Sequence, residues 1–191
     1  HGDKTERLIS EETADIMTRL LKNVVIKGTA KGISLANKVE VAGKTGTSNS
    51  GGDRWFIGYT PDYVCGVWSG YRDGRDIGEY DGNPACTVFD GIMKNVYATL
   101  PSYTKKFSTS PNVLACAYCV DSGHLAAKAC HSDPRGNRIE TGYFKKGTEP
   151  REQCSTHFLV EYDKVTRAVA CEKCPRENII KTALLKVNRS F

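Results

Sequence analysis

The chain has 191 residues, of which 39% are apolar and 26% charged, and carries a formal net charge of +5 at neutral pH. This is an ordinary globular composition, and at roughly 100–200 residues per domain it allows one large domain or two small ones. No segment approaches the roughly 18 consecutive apolar residues that suggest a membrane span, and the basic excess falls after residue 100 without a run of five basic side chains, so it reads as a solvated face rather than a nucleic-acid footprint.

The opening HGDKTERLIS lacks an initiator Met, a basic n-region and an apolar h-region. Any targeting segment is therefore expected on a longer parent, and the chain reads as a fragment. Ser10 suits a helix N-cap, Glu11 and Glu12 suit the positive end of a helix, and Ile16, Met17, Leu20, Leu21, Val24 and Val25 recur at helical spacing until Gly28. Val39-Glu40-Val41 then alternates like a strand and leads into GKTGTS. A Gly-rich turn, Asn49 to Asp53, precedes WFIGYT; Pro61-Asp62 turns the chain into YVCGVWSGY, giving two more strands. Asn83-Pro84 opens a second helix with Val88, Phe89, Ile92, Met93, Val96, Tyr97 and Leu100 on one side, closed by Pro101. The expected order is helix, three antiparallel strands, helix.

Residues 102–112 are rich in Ser, Thr and Pro and read as a linker. Beyond them, short apolar pieces alternate with turn residues and cysteines. A faint internal echo links residues 121–126 with 163–168.

Of the eight cysteines, Cys65 and Cys86 lie in the first hundred residues, and Cys116, Cys119, Cys130, Cys154, Cys171 and Cys174 in the rest. An even number in a short, Gly- and Pro-punctuated region suggests disulfides and an oxidising compartment, although eight cysteines allow about 105 connectivities. Zinc is the competitor: the two CxxC pairs, Cys116/Cys119 and Cys171/Cys174, or the set Cys119, Cys130, Cys154 and His157, could each be tetrahedral. Disulfides are preferred here, each worth about 2–4 kcal/mol to a module too small for its own core. His124 and His157 otherwise read as surface or packing residues, Trp55 and Trp68 as core or cleft wall, and Cys65 as a buried thiol.

The run Lys44-Thr45-Gly46-Thr47 carries the chemistry. A strand edge with an ammonium, hydroxyls and a Gly that lets a ligand's backbone lie close is a site for an extended peptide ending in carboxylate. Lys44 would supply charge, the Thr45 and Thr47 hydroxyls would bind the carboxylate, and the Thr47 amide could face a developing oxyanion. No metal and no cofactor is called for.

The helix text ETADIMTRLLKNVVIKGTA, the strand text VAGKTGTSNSGGDRWFIGYTPDYVCGVWSGY and the helix text VFDGIMKNVYATLP closely resemble the C-terminal half of the transpeptidase domain of class A penicillin-binding proteins, over roughly residues 5 to 101. The resemblance implies an α+β fold, a partial β-lactamase/transpeptidase-like domain over residues 1–101, then the linker and a small, β-rich, cysteine-rich extension over 113–191. It implies D,D-transpeptidation through an acyl-serine intermediate, with peptidoglycan stem peptides ending in D-Ala-D-Ala as substrate and β-lactams as mimics. Lys44 would then join the proton network near a second serine, Thr45 and Thr47 would hold the carboxylate, and the Thr47 amide would be one of two oxyanion donors. The parent is expected outside the cytoplasm, associated with the cell membrane only through an absent N-terminal anchor.

The family pairs Lys-Thr-Gly with preceding Ser-x-x-Lys and Ser-x-Asn motifs. Residues 1–43 contain neither. Ser102-Tyr103-Thr104-Lys105 and Ser110-Pro111-Asn112 match by chance, in a stretch where a nucleophile would lack preorganised geometry. The expectation is a chain that supplies the Lys-Thr-Gly-Thr wall, is inactive alone, leaves an apolar sheet edge bare, and needs the missing N-terminal half as partner. The alternative is a noncatalytic module docking on cell wall or a partner protein. The text CVDSGHLAAKAC and YFKKGTEPREQCSTH more loosely resembles a C-terminal extension of the same family, fitted by Cys119, Cys130 and Cys154.

Overall fold

The computed structural model describes residues 6–78 and 82–186. They form two compact units, divided between Ser110 and Pro111.

In the first unit, helix α1 (Glu11–Ile26) starts where the sequence places it. The Ser10 Oγ accepts the Thr13 N–H at 3.2 Å, satisfying one of the donors that a helix start leaves open. The apolar stripe of α1 is wider than the surface it covers: Val25 is buried, while Met17 and Leu20 are exposed. A 3-10 turn, Ser34–Asn37, precedes strand β1 (Ala42–Thr47). The strand begins later than the alternation at Val39 suggests, yet Val39 and Val41 are both buried.

Strands β2 (Asp53–Tyr59) and β3 (Val64–Gly70) complete an antiparallel sheet in the order β1-β2-β3. Helix α2 (Pro84–Thr99) opens with the Asn83 side chain accepting the Ala85 N–H at 2.9 Å and with Pro in its first turn. It packs on β2 and β3, and α1 packs on β1. Phe89, Met93 and Tyr97, spaced four apart, are the buried face of α2. Phe89 meets Phe56 edge-on, ring centroids 4.8 Å apart. Gly43 and Gly58 face each other across β1 and β2 and make room for that pair. A Cβ at Gly43 would lie 2.5 Å from Phe56 Cζ, and one at Gly58 2.8 Å from Phe89 Cζ.

Residues 102–110 are tied down rather than loose. Thr104 N–H donates to Asp62 Oδ2 at 2.9 Å, Glu40 N–H to the Lys105 carbonyl at 2.8 Å, Phe107 N–H to Glu40 Oε2 at 2.9 Å, and Ser110 N–H to Asp15 Oδ2 at 3.0 Å. The stretch expected as a linker is for most of its length a strap on the first unit, held by carboxylates from α1, the β1 approach and the β2–β3 turn.

The second unit is rich in strands. Strand β4 (Val113–Cys119) pairs with β5 (Ile139–Lys145), and β6 (His157–Asp163) lies between β7 (Ala168–Val169) and β8 (Ile179–Leu185). A single helical turn, α3 (Lys128–His131), contacts β6 and β8. Its buried cluster is made by Cys119, Cys130 and Cys154, with Ala127 and Ile139 packed against them.

Candidate functional site

Lys44, Thr45, Gly46 and Thr47 all lie in β1, an edge strand with no strand partner on its outer side among the described residues. The Ser48 N–H donates to the Asp53 carbonyl at 3.1 Å, so Ser48 turns its backbone groups toward β2. Because antiparallel backbones alternate, Thr47 and Thr45 turn theirs outward. The Thr45 carbonyl agrees: it accepts the Lys44 ammonium at 2.9 Å. The outer margin of β1 thus presents the Thr45 and Thr47 amides, with the Lys44 charge folded onto the same margin.

The side chains divide between the two sheet faces. Thr45 is half-buried, and its hydroxyl shares a 2.7 Å hydrogen bond with the Thr29 hydroxyl just after α1. Thr47 is exposed. On the opposite face, Lys44 stands across from Ile57 and Gly46 across from Trp55, which in turn faces Trp68. That face is open: Ile57 is 54%, Trp55 45% and Trp68 43% exposed. The two tryptophans are therefore neither core nor ligand cage but the wall of an uncovered sheet face.

The far end of the strand is fixed by its turn. Ser48 Oγ accepts the Asp53 N–H at 3.0 Å, Arg54 Nη1 donates to the Gly51 carbonyl at 2.9 Å, and Gly51 takes a φ of 71°, which suits glycine. Trp68 Nε1 donates to Asp53 Oδ1 at 2.8 Å, and Asn83 Nδ2 to the Trp55 carbonyl at 3.1 Å. The helix cap, the sheet and the turn thus brace one another around Gly46 and Thr47.

The two chance motif matches stand elsewhere. Ser102 lines a shallow groove with Pro61, Tyr63 and Tyr103, and Ser110 is buried with its amide on Asp15. Neither stands at the start of a helix.

The cysteines correct the sequence reading. All eight are free, so the expected disulfides are not formed. Compartment, on which that expectation rested, says nothing of distance. The structure instead gathers Cys119, Cys130, Cys154 and His157, with one donor atom of each within 4.8 Å of every other. His157 Nδ1 lies 3.4 Å from both the Cys119 and the Cys154 sulfur, and its Nε2 lies 3.0 Å from Asp133 Oδ2. Desolvation pushes the Cys130 thiol up to about 11. Desolvation also acts on Cys154, but hydrogen bonds from Ser122, from His157 and from two backbone amides outweigh it and bring that thiol down to about 5. The Arg135 guanidinium, bonded to Asp133, holds that carboxyl far below the usual range. Among the described residues, Cys116 and Cys119 do not gather with Cys171 and Cys174: Cys119 belongs to the buried group, while the exposed Cys171 lies 3.2 Å from Cys174.

Residues 1–94 match the family of the penicillin-binding protein transpeptidase domain, and residues 109–158 match the C-terminal domain of penicillin-binding protein 1A. Penicillin-binding protein 1A of Clostridium perfringens is 32% identical over 79% of this chain and 18% of its own length. That of Clostridium novyi is 33% identical over 88% of the chain and 19% of its own length. A crystal structure of penicillin-binding protein 1A from Haemophilus influenzae superposes with a TM-score of 0.58 at 26% identity, covering 78% of this chain and 22% of that one. The chain spans about a fifth of the length of the curated relatives it matches.

Proposed function

The chain belongs to the class A penicillin-binding proteins, and from that premise we propose that its first unit is one wall of a serine D,D-transpeptidase site whose nucleophile is not among these 191 residues. The observation that carries this reading is the outward-facing margin of β1, where the Thr45 and Thr47 amides and the Lys44 ammonium lie along a free strand edge.

An extended stem peptide ending in D-Ala-D-Ala would add to that edge as a further strand, its main chain pairing with Thr45 and Thr47. Gly46 keeps side-chain bulk from between them. Lys44 and the Thr47 hydroxyl would hold the terminal carboxylate, and the Thr47 N–H would donate to the oxygen that becomes negative when a serine attacks the penultimate carbonyl. The C-terminal D-Ala leaves, and the amine of a second stem takes the acyl group. β-Lactams enter by the same geometry. Thr45 contributes through its backbone, since its hydroxyl is engaged by Thr29.

Residues 1–43 contain neither Ser-x-x-Lys nor Ser-x-Asn, so the 191-residue chain is inactive alone, and its partner is the segment that bears them. That segment would also cover the open face of Trp55, Ile57 and Trp68. The working enzyme would face the cell wall, outside the cytoplasm, attached to the membrane through a segment other than these residues; no described helix is long and apolar enough to cross one.

Fluorescent penicillin tests the reading. The chain alone should give no covalent band. The same chain joined to, or mixed with, the segment carrying Ser-x-x-Lys and Ser-x-Asn should give one that Lys44→Ala abolishes. A band on the chain alone, or none on the completed domain, would overturn it.

A further inference from the structure

We propose that the second unit is built around a structural zinc ion held by the thiolates of Cys119, Cys130 and Cys154 and by Nδ1 of His157. This site is independent of the transpeptidase reading.

The donor set fits the ion in kind, number and spacing. Three sulfurs and one imidazole nitrogen form a closed tetrahedral set of the structural type. With Zn–S about 2.3 Å and Zn–N about 2.0–2.1 Å, a tetrahedron places sulfur and nitrogen about 3.6 Å apart. Both observed sulfur–nitrogen distances are 3.4 Å. All four residues are buried, Cys119 and Cys130 completely. The four come from separate elements: the end of β4, α3, the loop before β6, and the first residue of β6. One ion would therefore tie together both sheets of the unit and the helical turn.

The surroundings are those of a metal site. His157 Nε2 faces Asp133 Oδ2 at 3.0 Å and Asp121 Oδ2 at 3.3 Å, so Nε2 carries the ring proton and Nδ1 presents its lone pair to the thiols. Both carboxylates are held in turn, Asp133 by Arg135 at 2.8 Å and Asp121 by Arg138 at 2.9 Å. The Ala127 N–H donates to the Cys130 sulfur at 3.4 Å, the kind of bond that orients a thiolate. Zinc binding would release the thiol protons to solvent, and the dication would meet three thiolates.

The competing chemistry fits poorly. Three cysteines can form only one disulfide, which would strand the third thiol in a buried site. Among the described residues the unit has no other apolar cluster comparable to that of the first unit, whose core includes Phe56, Phe89, Leu35 and Met93. Small modules with so little core usually need a metal or crosslinks.

The test uses the full 191-residue chain, purified under reducing conditions and supplied with zinc or cobalt. About one equivalent of zinc should bind. Cobalt should give a thiolate charge-transfer band and the intense visible bands of a tetrahedral site. Cys154→Ser should lose that spectrum and the double variant Cys171→Ser/Cys174→Ser should keep it. Asp133→Asn should keep the spectrum but bind about 10–100-fold more weakly. The wild-type cobalt spectrum reads the ligand set even if Cys154→Ser fails to fold. Less than a tenth of an equivalent of zinc, an octahedral cobalt spectrum, or loss of metal in the Cys171/Cys174 variant would overturn the assignment. So would a disulfide among Cys119, Cys130 and Cys154 in chain purified without reductant.

Discussion

The carboxylate of Asp15, in the second turn of α1, accepts a hydrogen bond at 3.0 Å from the backbone of Ser110, 95 residues later in the chain. The same carboxylate takes two bonds from Arg19, at 2.7 and 3.3 Å. A buried anion is thus satisfied by its own helix and by the end of the strap. Asp15→Ala would remove one partner each from the Ser110 amide and the Arg19 guanidinium, and should cost about 1–3 kcal/mol in urea unfolding. It should also speed proteolysis around residues 105–110. Wild-type stability with wild-type cleavage would show that the strap is held by other contacts.

Glu40 should give the strap a pH dependence. Desolvation raises its pKa, but hydrogen bonds from Lys22 and the Phe107 amide, with the charges of Lys22 and Lys106, outweigh it and leave the group lower than normal. A depressed carboxyl stabilises the fold above its unfolded value, about 4.3, and loses that contribution as pH falls through the folded value. The stability gap between wild type and Glu40→Gln should therefore be steady above about pH 5 and close on acidification below about pH 4. A gap that widens in acid would show the sign to be wrong.

The aromatic pair at the helix–sheet interface sets the largest expected loss. Phe56 and Phe89 are both fully buried. Phe89→Ala should cost about 3–5 kcal/mol, and Phe89→Leu clearly less, because most of the cavity is refilled. Equal losses would mean that edge-on ring geometry, rather than volume, dominates.

Gly43→Ala separates fold from site within the same strand. The added methyl would lie 2.5 Å from Phe56 Cζ and 2.8 Å from the Ile57 carbonyl, whereas one at Gly46 would meet only Trp55 Cβ at 3.3 Å. Gly43→Ala should cost about 1–3 kcal/mol by overpacking, and Gly46→Ala less than about 1. Thermal unfolding of the two variants side by side reads the difference, and the reverse order would contradict the packing described.

Thiol labelling distinguishes the cysteines in one experiment. A hydrogen bond from Cys174 and nearby backbone amides lower the pKa of the exposed Cys171 thiol. Thiolate character and access together govern alkylation. Brief iodoacetamide treatment of the native chain should modify Cys171 first and leave Cys119, Cys130 and Cys154 unmodified, as peptide mass spectrometry would show. Early labelling within the buried cluster would mean that the second unit opens readily.

What the sequence revealed was what local chemistry decides. Ser10 and Asn83 cap the helices they were expected to cap, and the three strands come in the expected order, although β1 starts after the alternation over residues 39–41. The 3-10 turn at Ser34–Asn37 was not legible, because its support comes from Asp90 on α2: Oδ1 and Oδ2 accept the Leu35 N–H and the Ser34 hydroxyl, each at 2.8 Å. The strap failed for the same reason, since a Ser/Thr/Pro stretch reads as loose until distant carboxylates bind its amides. The candidate residues Lys44 to Thr47 come from the motif alone, which does not show that the Thr45 hydroxyl pairs with Thr29. The cysteine cluster was visible only as one of two tetrahedral sets, because spacing along the chain does not say which loops converge.

The only two tryptophans of the chain stand opposite each other on β2 and β3, on the uncovered face of the sheet. Indole emission from this protein therefore reports on one place. Any polypeptide that settles over that face should move the emission to shorter wavelength. The fold carries its own optical gauge for the covering of that sheet face.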